Sequence, residues 1–418
     1  MFCSIAKSNL VGVIKCPASK SYTHRAIFLA SLAKGKSIIY DPLFSADTRS
    51  TISACKGFGA DISIRDDLLE ITGTLEIKPA KIDAANSGTT MRIATAVASL
   101  IDGTSTLYGD ASLSKRPMKA LLESLSKMGA KIDAYDNMPP ITIHGIIEGG
   151  NVTIRGDVSS QYVSALLMAG SMSKNGIVVD IDGSLVSKDY VAYTIETMKR
   201  FGVLVKRTDL GYSCDRQRYV ATKFTVPFDT SILALLVVAK ILFGERLEID
   251  IGRSKDGPSE SSHIIEICSK MGISICFENE RCIVENSKSA DTQIIDLIDQ
   301  PDLFPAMAVL ALKGSKKTII TGIGHTKYKE TDRITVISTE LAKTGAIITK
   351  TDDSLTIECT QRLKPAKFDA RGDHRLFMAF CLAGMYIGEC TVTDPESVAI
   401  SYPDFIKDIC TVGGKIKL

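Results

Sequence analysis

Residues 157–202 read DVSSQYVSALLMAGSMSKNGIVVDIDGSLVSKDYVAYTIETMKRFG. A polar opening runs into the apolar stretch Gln161 to Met172, which predicts a helix. Gly176 to Asp182 predicts a strand, and Tyr190 to Phe201 a second helix. Gly202 ends that helix, because glycine tolerates the left-handed conformation used at helix C-termini. In equivalent stretches, alternating pairs such as Ala130–Tyr135 and Ile141–His144, or Ile347–Lys350 and Ser354–Glu358, predict hairpin strands. The unit is therefore β-α-β-α-β-β.

This unit recurs. The loops PASKSYTHR, AANSGTTMR, VSSQYVS, PFDTSIL, QPDLFPAM and RGDHRLFM each precede an apolar helix. Anchored at Ser19, Asn86, Ser159, Asp229, Asp302 and Asp373, they are spaced by 67, 73, 70, 73 and 71 residues. A second register, Gly59, Gly129, Gly202, Gly272, Gly345 and Gly414, has intervals of 70, 73, 70, 73 and 69. Solenoid periods run to roughly 20–50 residues, so this longer period fits a compact supersecondary unit better.

Only Lys415 to Leu418 follow the last glycine, where the other units have a hairpin. Met1 to Lys15 precede the first loop and are spare. The N-terminal strand is thus expected to complete the sixth unit, which forces the chain to cross twice between two lobes of three units each. The expected division is 12–227 for one lobe and 1–11 plus 228–418 for the other.

A length of 418 residues and 45% hydrophobic content suffice for two cores. A net charge of +2 argues against bulk attraction to nucleic acid or membrane. No apolar run reaches membrane-spanning length, and no signal peptide is evident. Eleven scattered cysteines without metal spacing point to reduced thiols in a cytoplasmic protein. Neither a P-loop nor a dinucleotide fingerprint is present, so no nucleotide cofactor is expected.

The loops concentrate Lys20, Arg25, Arg92, Arg116, Lys329, Arg333 and Arg375 near helix starts. Helix N-termini offer unpaired N–H groups and a positive dipole end, and arginine adds a bidentate fork. Small, multiply anionic ligands are the expected class. Taken singly, Ser19-Lys20-Ser21, Asn86-Ser87-Gly88, Ser159-Ser160-Gln161 and Lys329-Glu330-Thr331-Asp332-Arg333 also read as helix caps or solvated faces. His374 alone reads equally as structural.

Together, PASKSYTHR, NSGTTMR, SSQ, VSKDY, PD, KETDR and DHR, in this order, closely resemble the 3-phosphoshikimate 1-carboxyvinyltransferase (EPSP synthase) family over about Ser8 to Lys407. The resemblance implies an α/β fold of two inside-out α/β barrel lobes. It implies transfer of the enolpyruvyl group of phosphoenolpyruvate to the 5-hydroxyl of shikimate 3-phosphate, with no metal or organic cofactor. A monomer is expected. Phosphoenolpyruvate would meet Lys20, Asn86, Gly88, Arg116, Gln161, Arg333 and Arg375. Shikimate 3-phosphate would meet Lys20, Ser21, Arg25, Ser159, Ser160, Gln161, Ser187, Tyr190, Asp302 and Lys329. Glu330 would be the acid at the methylene carbon, Asp302 the base on the 5-hydroxyl, and Lys20 their assistant.

The chain departs from the family pattern at Ile400, where many members carry a lysine; Lys327 and Lys188 are candidate substitutes. The related transferase acting on UDP-N-acetylglucosamine typically has a reactive cysteine in the loop matching Tyr108–Pro117, and this loop has none. A non-catalytic scaffold that kept the fold is the other alternative, with Ile400 its only support.

Overall fold

The computed structural model describes residues 1–74, 76–244, 246–252, 261–286, 292–313, 317–359 and 362–418. The chain forms two compact units, a central one (Ala18–Val226) and a terminal one (Met1–Pro17 with Pro227–Leu418).

The described residues form six four-stranded sheets. In the clearest case Lys81–Asp83 pairs in parallel with Thr104–Tyr108, across the helix Gly88–Ala98. Thr104–Tyr108 then pairs antiparallel with Ile141–His144, which pairs antiparallel with Lys131–Ala134. A parallel pair needs a crossover and an antiparallel pair only a hairpin, so one β-α-β-α-β-β run makes one sheet.

Two sheets borrow their parallel strand. Lys223–Thr225 precedes the fourth loop yet pairs with Lys36–Tyr40. Gly12–Lys15 precedes the first loop yet pairs with Leu247–Asp250. The central unit is thus closed by a strand from its own C-terminal end, and the terminal unit by a strand from its separate N-terminal segment. The second pairing holds residues 12–17 in the terminal unit, although the sequence division places them in the first lobe. The other boundary falls between Val226 and Pro227. In the sixth sheet Phe2–Ala6 lies between Cys390–Thr393 and Lys415–Lys417, antiparallel to both.

The six loop-proximal helices are apolar nearly all round and are buried. In Thr230–Phe243 every residue from Thr230 to Ala239 is buried, and in Lys20–Leu32 every residue from Tyr22 onward. A helix apolar on all faces must lie inside a core. The second helix of a repeat is amphipathic: Lys119–Lys127 buries Leu121, Leu122, Ser124 and Leu125, half-buries Ala120 and exposes Lys119, Glu123, Ser126 and Lys127. Each unit has its own apolar core around its buried helices.

The glycine register marks helix ends as expected. Gly59, Gly129, Gly202, Gly272 and Gly345 have φ of +105°, +113°, +82°, +73° and +89°. In the last repeat the positive φ, +102°, belongs to Gly413 rather than Gly414.

Candidate functional site

Five of the six loops cap their helix with their own side chain. Ser19, Ser87, Ser159, Asp229 and Asp373 accept from backbone N–H groups of the first turn. In the second loop the cap is Ser87, which leaves the Asn86 amide for other work. The fifth loop is the exception. Asp302 sits inside a short 3-10 turn, Pro301–Leu303, whose N-cap position is Gln300.

In the central unit, two guanidinium groups converge on one glycine. A Cβ on Gly88 would lie 2.5 Å from Arg92 Nη1 and 3.1 Å from Arg116 Nη1. Arg92 donates to Gln161 Oε1 at 2.6 Å and lies 5.5 Å from the Tyr162 ring centroid. Gln161 in turn donates to Thr89 Oγ1 at 3.2 Å. Arg116 donates to Asn86 Oδ1 at 3.2 Å, while the Asn86 amide donates to Asp110 at 2.8 Å. Both guanidiniums thus bond a side-chain amide, and the missing side chain at Gly88 lets them approach the helix start.

Arg25 is 2% exposed and grips neutral groups. It donates to Thr194 Oγ1 at 2.7 Å, the Ser21 carbonyl at 2.8 Å and the Tyr190 carbonyl at 2.8 Å. These bonds tie together the first turns of the helices Lys20–Leu32 and Asp189–Arg200, which carry Ser21 and Tyr190. Ser187 holds a left-handed φ of +54°, which a non-glycine residue adopts at some strain. Ser159 caps Gln161, and Ser160 is the buried first residue of that helix. Lys20 pairs with Asp47 at 3.0 Å.

In the terminal unit the cations meet carboxylates. Arg333 is fully buried and donates to Asp302 Oδ1 and Asp373 Oδ2 at 2.8 Å each, and to Glu330 Oε2 at 2.9 Å. Burial opposes its charge, but Asp373, Glu330 and Asp302 outweigh burial and raise its pKa above the usual arginine value. Arg375 donates to Ser231 Oγ at 2.6 Å and to Asp302 Oδ2 at 3.2 Å. Lys329 lies 3.6 Å from Asp302 Oδ1 and, with its side chain 26% exposed, is the most accessible of the three cations. Burial lowers its pKa below the usual lysine value; Arg333 and Arg375 add to this, and Asp302 and Glu330 oppose it. Burial also lowers His325 to about 4, with Lys329 contributing.

The structure thus groups Asn86, Gly88, Arg116 and Gln161, and separately Ser21, Arg25 and Tyr190. It also gathers Asp302, Lys329, Glu330, Arg333 and Arg375. Sequence reasoning missed Asp47, Asp110, Ser231 and the role of Asp373, which binds Arg333 while capping His374–Ile387. It assigned Arg92 no ligand and saw no pattern at Glu196, which accepts from the Tyr22 hydroxyl at 2.6 Å. A capping Asp is legible in sequence, but a second partner 40 residues away is not. Ile400 ends a 3-10 segment, Pro395–Ile400, and Lys327 lies 5.1 Å from the Tyr328 ring centroid.

The sequence model described as EPSP synthase (3-phosphoshikimate 1-carboxyvinyltransferase) matches residues 5–409. A relative in Nitrosopumilus maritimus, named 3-phosphoshikimate 1-carboxyvinyltransferase, is 43% identical over 100% of both chains. One of the same name in Methanosarcina acetivorans is 39% identical over 99% of this chain and 98% of its own. The solved EPSP synthase of Acinetobacter baumannii superposes with a TM-score of 0.80 at 25% identity, over 100% of this chain and 99% of that one. No helix among the described residues is long and apolar enough to cross a membrane.

Proposed function

This chain belongs to the EPSP synthase (3-phosphoshikimate 1-carboxyvinyltransferase) family, and from that premise we propose that it transfers the enolpyruvyl group of phosphoenolpyruvate to the 5-hydroxyl of shikimate 3-phosphate, releasing phosphate. The observation that carries this reading is the pair of guanidiniums that converge on Gly88 at a helix start, one bonded to Gln161 and the other to Asn86.

Phosphoenolpyruvate takes Arg116 and Gln161 beside Asn86 and Gly88, with Arg92 as an additional cation, and Lys20, Arg333 and Arg375 as further charges. Shikimate 3-phosphate takes Ser159, Ser160, Gln161 and Ser187, the helix starts tied by Arg25 (Ser21 and Tyr190), and Lys20, Asp302 and Lys329. Glu330 delivers a proton to the methylene carbon, leaving an oxocarbenium-like centre. The 5-hydroxyl oxygen bonds to the oxocarbenium carbon next to the new methyl group as its proton passes to Asp302. The tetrahedral adduct then returns a methyl proton to the Glu330 carboxylate as its carbon–oxygen bond to phosphate breaks and phosphate leaves with the electron pair. Lys20 neutralises developing charge. Acid and base groups placed in this way contribute about 10²–10⁴-fold each.

The protein acts as a cytoplasmic monomer in this reading.

Phosphate release from shikimate 3-phosphate and phosphoenolpyruvate tests the proposal, with shikimate and UDP-N-acetylglucosamine as control acceptors. Release with shikimate 3-phosphate alone is expected. Release with the nucleotide sugar, or none from folded protein, would overturn it.

A further inference from the structure

Beneath the loops of the central unit runs a buried chain of side chains that the proposed chemistry does not use. His24 Nδ1 lies 2.6 Å from Thr51 Oγ1, which lies 2.6 Å from Thr90 Oγ1. Thr90 Oγ1 donates to Ser87 Oγ at 2.8 Å. All four residues have 0% exposure. The chain joins the helices Lys20–Leu32, Ala46–Gly57 and Gly88–Ala98.

Its ends lie next to groups with assigned roles. Ser87 caps the helix that starts at Gly88, accepting from the Thr90 N–H at 3.2 Å. On the middle helix, one turn before Thr51, Asp47 holds Lys20. His24 itself is one turn beyond Lys20.

A hydroxyl has one proton to donate. Thr90 gives its own to Ser87, so it accepts from Thr51. Thr51 in turn accepts from His24. This order requires a proton on Nδ1 of His24 and leaves Nε2 with a lone pair. Nε2 is buried without a hydrogen-bond partner among the described residues. A buried lone pair is tolerated better than a buried orphan N–H. Burial foremost, with Lys20 and Arg25 adding to it, holds the ring pKa well below the usual histidine value, so the ring stays neutral.

We infer that His24 is a positioning residue: as the neutral Nδ1–H tautomer it starts a one-directional hydroxyl chain that fixes the Gly88 helix start, and the Arg92–Arg116 anion site on it, in register with the Lys20–Asp47 pair. This rests on the reading that the Gly88 site takes phosphoenolpyruvate. His24→Leu keeps the bulk and removes the donor. It raises the KM for phosphoenolpyruvate about tenfold, as expected for one lost buried hydrogen bond. The KM for shikimate 3-phosphate and kcat stay within about twofold of wild type. His24→Asn places an amide N–H near the Nδ1 position and restores the KM. Thr51→Val cuts the chain at its next link and matches His24→Leu, and the double variant is no worse than either, because both break one chain. An unchanged phosphoenolpyruvate KM in folded His24→Leu or Thr51→Val overturns the inference, as does an equal loss on both substrates. The imidazole nitrogen NMR spectrum of the wild-type protein reads the tautomer without turnover. An Nε2–H signal overturns the inference whatever the enzyme does. An Nδ1–H signal in a protein that releases no phosphate supports the hydroxyl chain and places the failure in the functional reading.

Discussion

The arginines of the two units differ in the partners they donate to, while Lys20 of the central unit pairs with the Asp47 carboxylate. In the central unit Arg25, Arg92 and Arg116 donate to hydroxyls, carbonyls and side-chain amides. In the terminal unit Arg333 and Arg375 donate to carboxylates, and Lys329 stands beside one. A guanidinium surrounded by carboxylates is already neutralised, and an arriving anion must displace a partner. That holds for Arg333, whose partners Asp302, Glu330 and Asp373 are all carboxylates. The Arg92 and Arg116 bonds to Gln161 and Asn86 orient the side chain without a charge on the acceptor.

The largest effect that would sharpen this contrast is on turnover. Glu330→Gln should lower kcat by about 10²–10⁴-fold while shikimate 3-phosphate binding, read by calorimetry, stays near wild type. A normal kcat would remove Glu330 from the mechanism. Stability should follow. Arg333→Met takes the buried cation from Asp373 and Glu330 and should cost roughly 3–5 kcal/mol. Arg25→Met removes the bonds to Thr194, Ser21 and Tyr190 and should cost about 1–3 kcal/mol. Equal denaturant midpoints for the two variants would erase the distinction between the clusters.

Ligand affinity is the next step down. Arg25→Ala should weaken shikimate 3-phosphate by roughly 10- to 100-fold, the range for a lost charged hydrogen bond. Gly88→Ala has no backbone strain to contend with, but its methyl would crowd Arg92 Nη1 at 2.5 Å. Because the tip of an arginine can shift, the expected rise in phosphoenolpyruvate KM is only about tenfold. An unchanged KM would mean that the two guanidiniums do not form its site.

The smallest effect is in pH dependence. His325 has its pKa lowered from 6.5 to about 4. The unfolded chain then binds more protons between those values, so the stabilisation is complete above 6.5 and is lost as pH falls towards 4. His325→Gln should flatten the stability profile in that window. A profile that keeps its full slope would show that His325 is not held neutral beside Lys329.

Much of this molecule is legible in the sequence because the signals are local. An apolar run with a Ser or Asp before it reads as a buried helix with its cap, and that holds at Ser19, Ser159, Asp229 and Asp373. The second loop slips by one residue, from Asn86 to Ser87, because either side chain is a good cap and only the backbone decides. Asp302 carries the same sequence signal as the capping residues, yet it lies inside a 3-10 turn and not at its N-cap position. Three cations from other elements compete for its carboxylate, and no window around residue 302 contains Arg333 or Arg375.

The sequence by itself determined the period, the order of helix and strand within each repeat, and the glycines that end the second helices. Each of these depends on φ/ψ preference and side-chain periodicity within a few residues. Only the tertiary structure decided that Gly12–Lys15 and Lys223–Thr225 close sheets far along the chain, and which groups neutralise each cation. Those choices are made by backbone pairing and charge contacts between segments distant in sequence, and a hydrogen bond across 40 or 213 residues leaves no local trace in either partner.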